Sequence, residues 1–364
     1  MRLSGGVTMF VDVINSKSLF KTKRFFQKEG SVVVLKSLVR LLFTTLTITV
    51  KPGKIPLVSS FERPDLKKLA LSYIESSNEL NLCEPKYIFN IRLGCVFGHI
   101  KKCKSLSNDL NELFSLLWLL KSREKIDQAL SEVKVIFLFN EALMIENFIA
   151  QLANYQQIHT IALQHGFYVE DKSPTFSRLN YTDLVSKQVF CWGKYSSKLF
   201  KKNNNNIDVA VIGRAVSHKY KLMPCDHKAK PTVYLIFDAL DFSSENRKIL
   251  ELVSKAGREF LVKILPHPSL LNVRGEYNSM YYFGSSVCEH DVFIGNRSSL
   301  LLELASDGFF CCYVPGSPFE SIDDDEWRAD IPGVKKFTKD RANEYISNFA
   351  ELSYLLDHTI RQYK

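Results

Sequence analysis

The stretch Val133-Lys134-Val135-Ile136-Phe137-Leu138-Phe139 is a β-rich apolar run. After it, residues 142–155 carry Leu143, Ile145, Phe148, Ile149 and Leu152 at roughly helical spacing, and Thr160-Ile161-Ala162-Leu163 is a second short apolar run. Strand, helix and strand at this spacing make a βαβ unit, so the two strands are expected to be parallel and the crossover right-handed. The second strand runs into Gln164-His165-Gly166-Phe167. A glycine there lets the chain turn at the strand's carboxyl end, which is where open α/β sheets present their ligands.

Outward from this unit the pattern repeats. Residues 188–193 and 209–213 each read as a short strand ending in glycine, and they suit the last strands of a first Rossmann-like domain. Upstream, residues 65–76 and 106–130 look helical, and 86–93 looks like a strand. Between 217 and 231 the chain turns polar and basic, with Pro224 and Pro231 near its ends, as a linker would. A second α/β series follows: strands over 232–237, 259–265, 280–283, 292–294 and 310–314, with helices over 244–257 and 298–306. Residues 341–356 are helical in pattern. These readings divide the chain into an N-terminal Rossmann-like domain over 1–220, a linker over 221–231, a C-terminal Rossmann-like domain over 232–340 and a final helical segment over 341–364. The asparagine run 203–206 reads as a loop tip.

Two polar clusters in the second series carry the chemistry. Leu265-Pro266-His267-Pro268 and Gly295-Asn296-Arg297-Ser298-Ser299 each follow an apolar run that reads as a buried strand. At a strand's carboxyl end, the next helix supplies unpaired backbone N–H groups and a positive dipole end, a ready site for phosphate. Serine hydroxyls there can cap the helix and also hydrogen-bond an anion, and an imidazole between two prolines has little freedom to move away. The structural alternatives are a turn histidine and a plain helix cap.

The chain has 364 residues, enough for two domains, with 46% hydrophobic residues and a formal net charge of +9. This is a folded composition with a basic excess that favours anionic partners. The segment up to Lys54 holds ten Lys or Arg against Asp12 and Glu29, with Phe20, Phe25 and Phe26 interleaved. It reads either as a basic amphipathic surface on an anionic bilayer or as a solvated helix face. Residues 31–50 are interrupted by Lys36 and Arg40 and make a poor membrane span. No secretory signal pattern is evident. The eight cysteines lack C-x-x-C spacing and read as reduced, mostly buried thiols of a cytosolic protein rather than a metal site. The acidic run 323–326 reads as a solvated loop. No P-loop, G-x-G-x-x-G, G-x-S-x-G or H-E-x-x-H occurs, which argues against kinases, dehydrogenases, α/β hydrolases and zincins. No helix-turn-helix, RNP-like or zinc pattern supports nucleic acid as partner.

Two Rossmann-like domains with phosphate clusters in the second resemble the GT-B fold of glycosyltransferases, two domains facing across a cleft. His267-Pro268 and Ser298-Ser299 are similar in placement to the HP and serine motifs of bacterial sialyltransferases and polysialyltransferases, and to related CDP-glycerol glycerophosphotransferases and surface-polysaccharide transferases. The resemblance spans residues 133–316. It departs from the sialyltransferase pattern at the acidic-acidic-glycine element, since neither Asn140-Glu141 nor Glu170-Asp171 is followed by glycine. Gln164-His165-Gly166 looks instead like the histidine-glycine element of the glycerophosphotransferase group.

The resemblance implies a metal-independent, inverting transfer from a nucleotide-activated sugar, with a CMP-sugar favoured, to a bacterial capsule, lipopolysaccharide or lipooligosaccharide acceptor at the cytoplasmic membrane face. A polyol-phosphate transferase and a non-catalytic basic binding protein are the rivals. In this reading His267, Pro268, Asn296, Arg297, Ser298 and Ser299 hold the donor phosphates, and Glu303 on the following helix holds the ribose. His165 is the first candidate for general base, with a hydrogen-bonded core histidine as the alternative, and Glu141 is the second candidate.

Overall fold

The computed structural model describes residues 30–60, 64–91, 96–97, 100, 103–104, 109–168, 170, 178, 180–182, 184–204, 206–214, 221–223, 232–238, 243–255, 261–267, 286–288, 291–306, 308–314, 317 and 335–337. They group into two units: the residues up to Cys191 with Ser197–Ala210, and Trp192–Ser196 with the residues from Val211 onward.

The first unit opens with helix α1 (Gly30–Phe43) and strand β1 (Thr44–Thr47), followed by β2 (Ile55–Val58), α2 (Pro64–Glu75), β3 (Leu80–Cys83) and β4 (Lys86–Phe89). Next come α3 (Leu110–Leu130), β5 (Val135–Leu138), α4 (Met144–Tyr155), β6 (His159–Leu163), β7 (Gln188–Cys191), α5 (Lys194–Asn203) and β8 (Asp208–Val211). Six strands form one sheet in the order β3-β2-β5-β6-β7-β8. Neighbours from β3 to β7 are parallel, as the βαβ reading requires. The core of this layer is Val58, Ile136, Leu138, Ile145, Phe148, Ile149 and Leu152 with Trp118 and Leu119 of α3, all buried. The α3 helix starts at Asp109, whose side chain accepts the Glu112 N–H at 2.9 Å, a capping arrangement that sets the start three residues inside the expected 106–130.

β4 departs from the sheet. It pairs antiparallel with β1 in a separate two-stranded ribbon, Thr44 opposite Phe89 and Thr47 opposite Lys86. Beneath it the Lys121 ammonium, buried in α3, donates to the carbonyls of Leu41 at 2.8 Å and Asn90 at 2.6 Å. A buried cation is thereby satisfied and the end of α1 is capped.

The second unit holds β9 (Lys221–Met223), β10 (Thr232–Ile236), α6 (Ser243–Lys255), β11 (Leu261–Leu265), β12 (Ser286–Cys288), β13 (Val292–Gly295), α7 (Ser299–Ser306), β14 (Phe310–Tyr313) and β15 (Lys335–Phe337). Its sheet runs β11-β10-β13-β14-β15, parallel except for the antiparallel β15. β9, inside the span expected as linker, pairs in parallel with β12. Val233, Leu235, Val292, Ile294 and Cys312 fill the layer.

Both units are therefore doubly wound α/β layers, Rossmann-like in class. Each main sheet has its second strand in sequence outside its first and its third on the other side, so the winding reverses between β2 and β5 in one unit and between β10 and β13 in the other. Ligands of such sheets sit outside the carboxyl ends of the strands at that reversal.

Cys83, Cys103, Cys191, Cys311 and Cys312 are buried thiols. Cys288 is disulfide-bonded, which corrects the all-reduced reading for that residue. Pro268, Asp171, the expected strand at 280–283, the acidic run 323–326 and the expected C-terminal helix lie outside the described residues.

Candidate functional site

In the second unit the reversal point falls on the sequence clusters. β10 and β11 end in register, Ile236 opposite Leu265, and β13 lies on the other side of β10 with Leu235 opposite Ile294. Asp238, His267 and Arg297 each stand two residues past their strand ends, at Ile236, Leu265 and Gly295. Three adjacent strands thus bring a carboxyl, an imidazole and a guanidinium-bearing loop to one edge. At Gly295 a Cβ would lie 3.4 Å from the Ile236 Cβ, 3.6 Å from its carbonyl oxygen and 3.7 Å from Leu301, ordinary contact distances.

Asp238 is a member of this group that the sequence reading missed. It is buried, its N–H donates to the Asn246 side chain at 2.9 Å, and Asn246 donates back to the Asp238 carbonyl at 3.0 Å, so α6 fixes the strand end. Burial pushes the Asp238 carboxyl up to about 7, against the opposing pull of the Arg297 charge, the Arg297 backbone N–H and the Asn296 side chain. Its Oδ2 has no hydrogen-bond partner among the described residues. Glu245, in the first turn of α6, also feels Arg297; its carboxyl is held below the usual range chiefly by the Ser244 hydroxyl.

The remaining residues of the loop are partly committed to holding it. Ser298 Oγ accepts from the Leu300 N–H at 3.3 Å and its carbonyl accepts from Leu301 at 3.1 Å, so Ser298 caps α7. Capping uses a lone pair of the hydroxyl and leaves its proton for donation. Asn296 is buried against Asp238, and its carbonyl accepts the Ser317 hydroxyl. His267 and Ser299 are partly exposed. Glu303 is buried and paired with Arg214, whose guanidinium carbon lies 4.9 Å from the Trp192 ring centre. Its carboxylate is engaged in this structure, and holding a ribose would require that pair to open.

In the first unit the reversal between β2 and β5 carries Ser59-Ser60 and Asn140-Glu141 at the two strand ends. The Ser60 N–H and hydroxyl both donate to Glu146 of α4, at 2.5 and 2.8 Å. The Glu141 carboxylate, buried, accepts the backbone N–H groups of Val185 at 2.6 Å and Ser186 at 3.2 Å. It therefore holds the chain that enters β7.

His165 follows β6 on the same edge. Its Nδ1 lies 2.7 Å from the Tyr168 hydroxyl. That phenol is buried between Tyr181 and Phe200, and burial pushes its pKa well above the ordinary range, so it keeps its proton. Its oxygen accepts the backbone N–H groups of both His165 and Gly166. With both lone pairs occupied, the hydroxyl faces Nδ1 only as a donor. Nδ1 is thus the acceptor, and in the neutral ring the proton sits on Nε2. The resting histidine is a hydrogen-bond donor through Nε2; service as a base requires the ring proton to change nitrogens first.

Gly166 does not occupy the left-handed region, and a Cβ there would meet Tyr168 at an ordinary 3.6 Å. The expected glycine requirement is absent at this turn. A pocket of about 10 Å³ beside His165 is lined by Asn140, Glu141, Tyr168, Asn180 and Phe200 among others. The amide oxygens of Asn140 and Asn180 are buried with no hydrogen-bond partner among the described residues, which suits a single bound water. Among the described residues no group of three His, Cys, Asp or Glu is arranged to hold a metal ion.

No family model matches the chain, and no curated protein matches it. Among solved structures it is similar to the lipopolysaccharide outer core galactosyltransferase WaaB in its apo form, at 12% identity and a TM-score of 0.47, over 85% of this chain and 99% of that one. It is similar to S. aureus MnaA in complex with UDP, at 14% identity and 0.45, over 85% and 89%. A third likeness is to Anabaena Alr3699/HepE in complex with UDP and glucose, at 10% identity and 0.46, over 85% and 100%. All three scores fall below one half, so these likenesses assign neither a family nor a ligand.

Proposed function

We propose that the chain is a GT-B type, nucleotide-sugar-dependent glycosyltransferase whose donor phosphates bind at the carboxyl edge of β10, β11 and β13. The observation that supports it is the meeting of His267, Arg297, Ser298 and Ser299 at the winding reversal of the second unit, beside the start of α7. Departure of a nucleotide leaves negative charge on a phosphate oxygen. Arg297 and a protonated or donating His267 offset that charge, while the serine hydroxyls and the first N–H groups of α7 add neutral donors. Asn296 and Asp238 hold the loop.

Inversion at the anomeric carbon requires a group that takes the acceptor proton. Asp238 has base character near neutral pH because of its burial. We assign His165, in its Nε2–H form, to donate a hydrogen bond that orients the acceptor. A CMP-sugar is the favoured donor and a bacterial surface glycan the favoured acceptor, both on the strength of the HP and serine motifs. Those motifs equally allow transfer from a CDP-polyol. We place the reaction on the cytoplasmic side, where nucleotide sugars are held, and without a metal.

The test is donor turnover. The full chain is incubated with CMP-sialic acid, UDP-galactose or CDP-glycerol and a lipooligosaccharide acceptor, and nucleotide release and product linkage are read by NMR. Transfer from one sugar donor with inversion, lost in His267→Ala, supports the reading. Turnover of CDP-glycerol alone would replace it with polyol-phosphate transfer, and no turnover of any donor would count against catalysis.

A further inference from the structure

We infer that the face formed by α1 and the β1–β4 ribbon docks on an anionic lipid bilayer. α1 buries Ser37 and Leu41 against α3, and the Ser37 hydroxyl donates to Asn111 there. Its other side exposes Leu35, Val39 and Phe43 at 60%, 44% and 41%, spaced four residues apart and so on one stripe. The ribbon continues this apolar surface: Phe43 stacks on Phe89 with ring centres 6.3 Å apart, and Phe89 and Ile91 are 71% and 56% exposed. Large aromatic and aliphatic side chains clustered at a surface mark a site of contact, whereas single exposed ones do not.

Charge selects the occupant. Lys36 and Arg40 stand on α1 one position round from the apolar stripe, and Lys86 opens β4; all three are exposed. Neither residues 30–50 nor residues 86–91 contain an Asp or Glu. A helix with an apolar stripe and a purely basic flank lies in the plane of a bilayer interface, its apolar side chains among the acyl chains and its cations at anionic headgroups. No described helix is long and apolar enough to cross a membrane, so contact through this face is interfacial. The inference rests on exposure and charge and is independent of the transfer reading.

The full chain is sedimented with vesicles of phosphatidylcholine alone and of equal parts phosphatidylcholine and phosphatidylglycerol, at low and high salt. The expected result is binding to the anionic vesicles that weakens with salt. The doubles Val39→Ser/Phe89→Ser and Lys36→Glu/Lys86→Glu are each expected to lose about tenfold in partitioning. All four positions are exposed, thermal unfolding verifies each fold, and either folded double decides the question. Absence of vesicle binding, equal binding to both vesicle types, or unchanged partitioning in a folded double overturns the inference. Concentration-dependent self-association that Val39→Ser/Phe89→Ser abolishes, without lipid binding, assigns the face to a second copy and also overturns it.

Discussion

The Tyr168 oxygen accepts two backbone N–H groups and donates to His165, so Tyr168→Phe removes the group that selects the imidazole tautomer. Long-range proton–nitrogen NMR is expected to find the Nε2–H form in the wild type and a mixture of tautomers in the variant. Transfer falls by about tenfold, the equivalent of one hydrogen bond, if His165 acts as a donor. Unchanged tautomers, or faster transfer, would contradict that role. Asp238 gives a second residue-level prediction. Its folded pKa is raised, so the native state keeps a proton between 3.8 and about 7 that the unfolded state releases. Stability from this group is therefore full at acid pH and is lost as pH rises through that window. Asp238→Asn, which cannot ionise, should melt with the wild type at the acid end and above it beyond neutrality, by on the order of a few kcal/mol. Calorimetry across pH checks this, and a constant difference would contradict it. Asp238 escaped the sequence reading because an acidic residue after an apolar run looks like any solvated loop carboxylate. Only its burial against Asn246, Asn296 and Arg297 marks it.

Elements were legible where pattern and packing agree. β5, α4 and β6 fall within two residues of their expected spans, because a fully buried parallel strand is a continuous apolar run and α4 shows its buried face as helical spacing. β2 was not read, since Pro56 argues against a central strand; its pairing with β5 involves only Leu57 and Val58, so the missing N–H costs nothing there. β4 was read as a strand, but its partner β1 came from a stretch that looked like one apolar block. The two glycines at the strand ends, Gly295 and Gly166, both have room for a Cβ at ordinary contact distance and neither has a positive φ. Gly295→Ala and Gly166→Ala are each expected to stay within about 0.5 kcal/mol, readable by denaturant unfolding. A loss of more than about 1 kcal/mol in either would contradict this packing. Lys121→Met keeps the aliphatic stem but leaves the carbonyls of Leu41 and Asn90 without their donor. A loss of about 1–3 kcal/mol is expected, with no change in nucleotide binding.

For the whole molecule, the α/β class was readable because strand and helix alternate with turn signals. The order of strands was not, because spacing alone says nothing about which side of the first strand the third one takes. That order puts β10 between β11 and β13, and so places His267 and the serine cluster on one edge of the sheet. The central claim is that this edge binds the phosphates of a nucleotide. Isothermal calorimetry of the full chain with CMP, CDP, UDP and GDP, for the wild type and for His267→Ala, tests it most directly. The account predicts saturable binding of one of these nucleotides, weakened at least about tenfold in the variant while its melting temperature is kept. Binding unaffected by His267→Ala, or no nucleotide bound by a folded wild type, would contradict it.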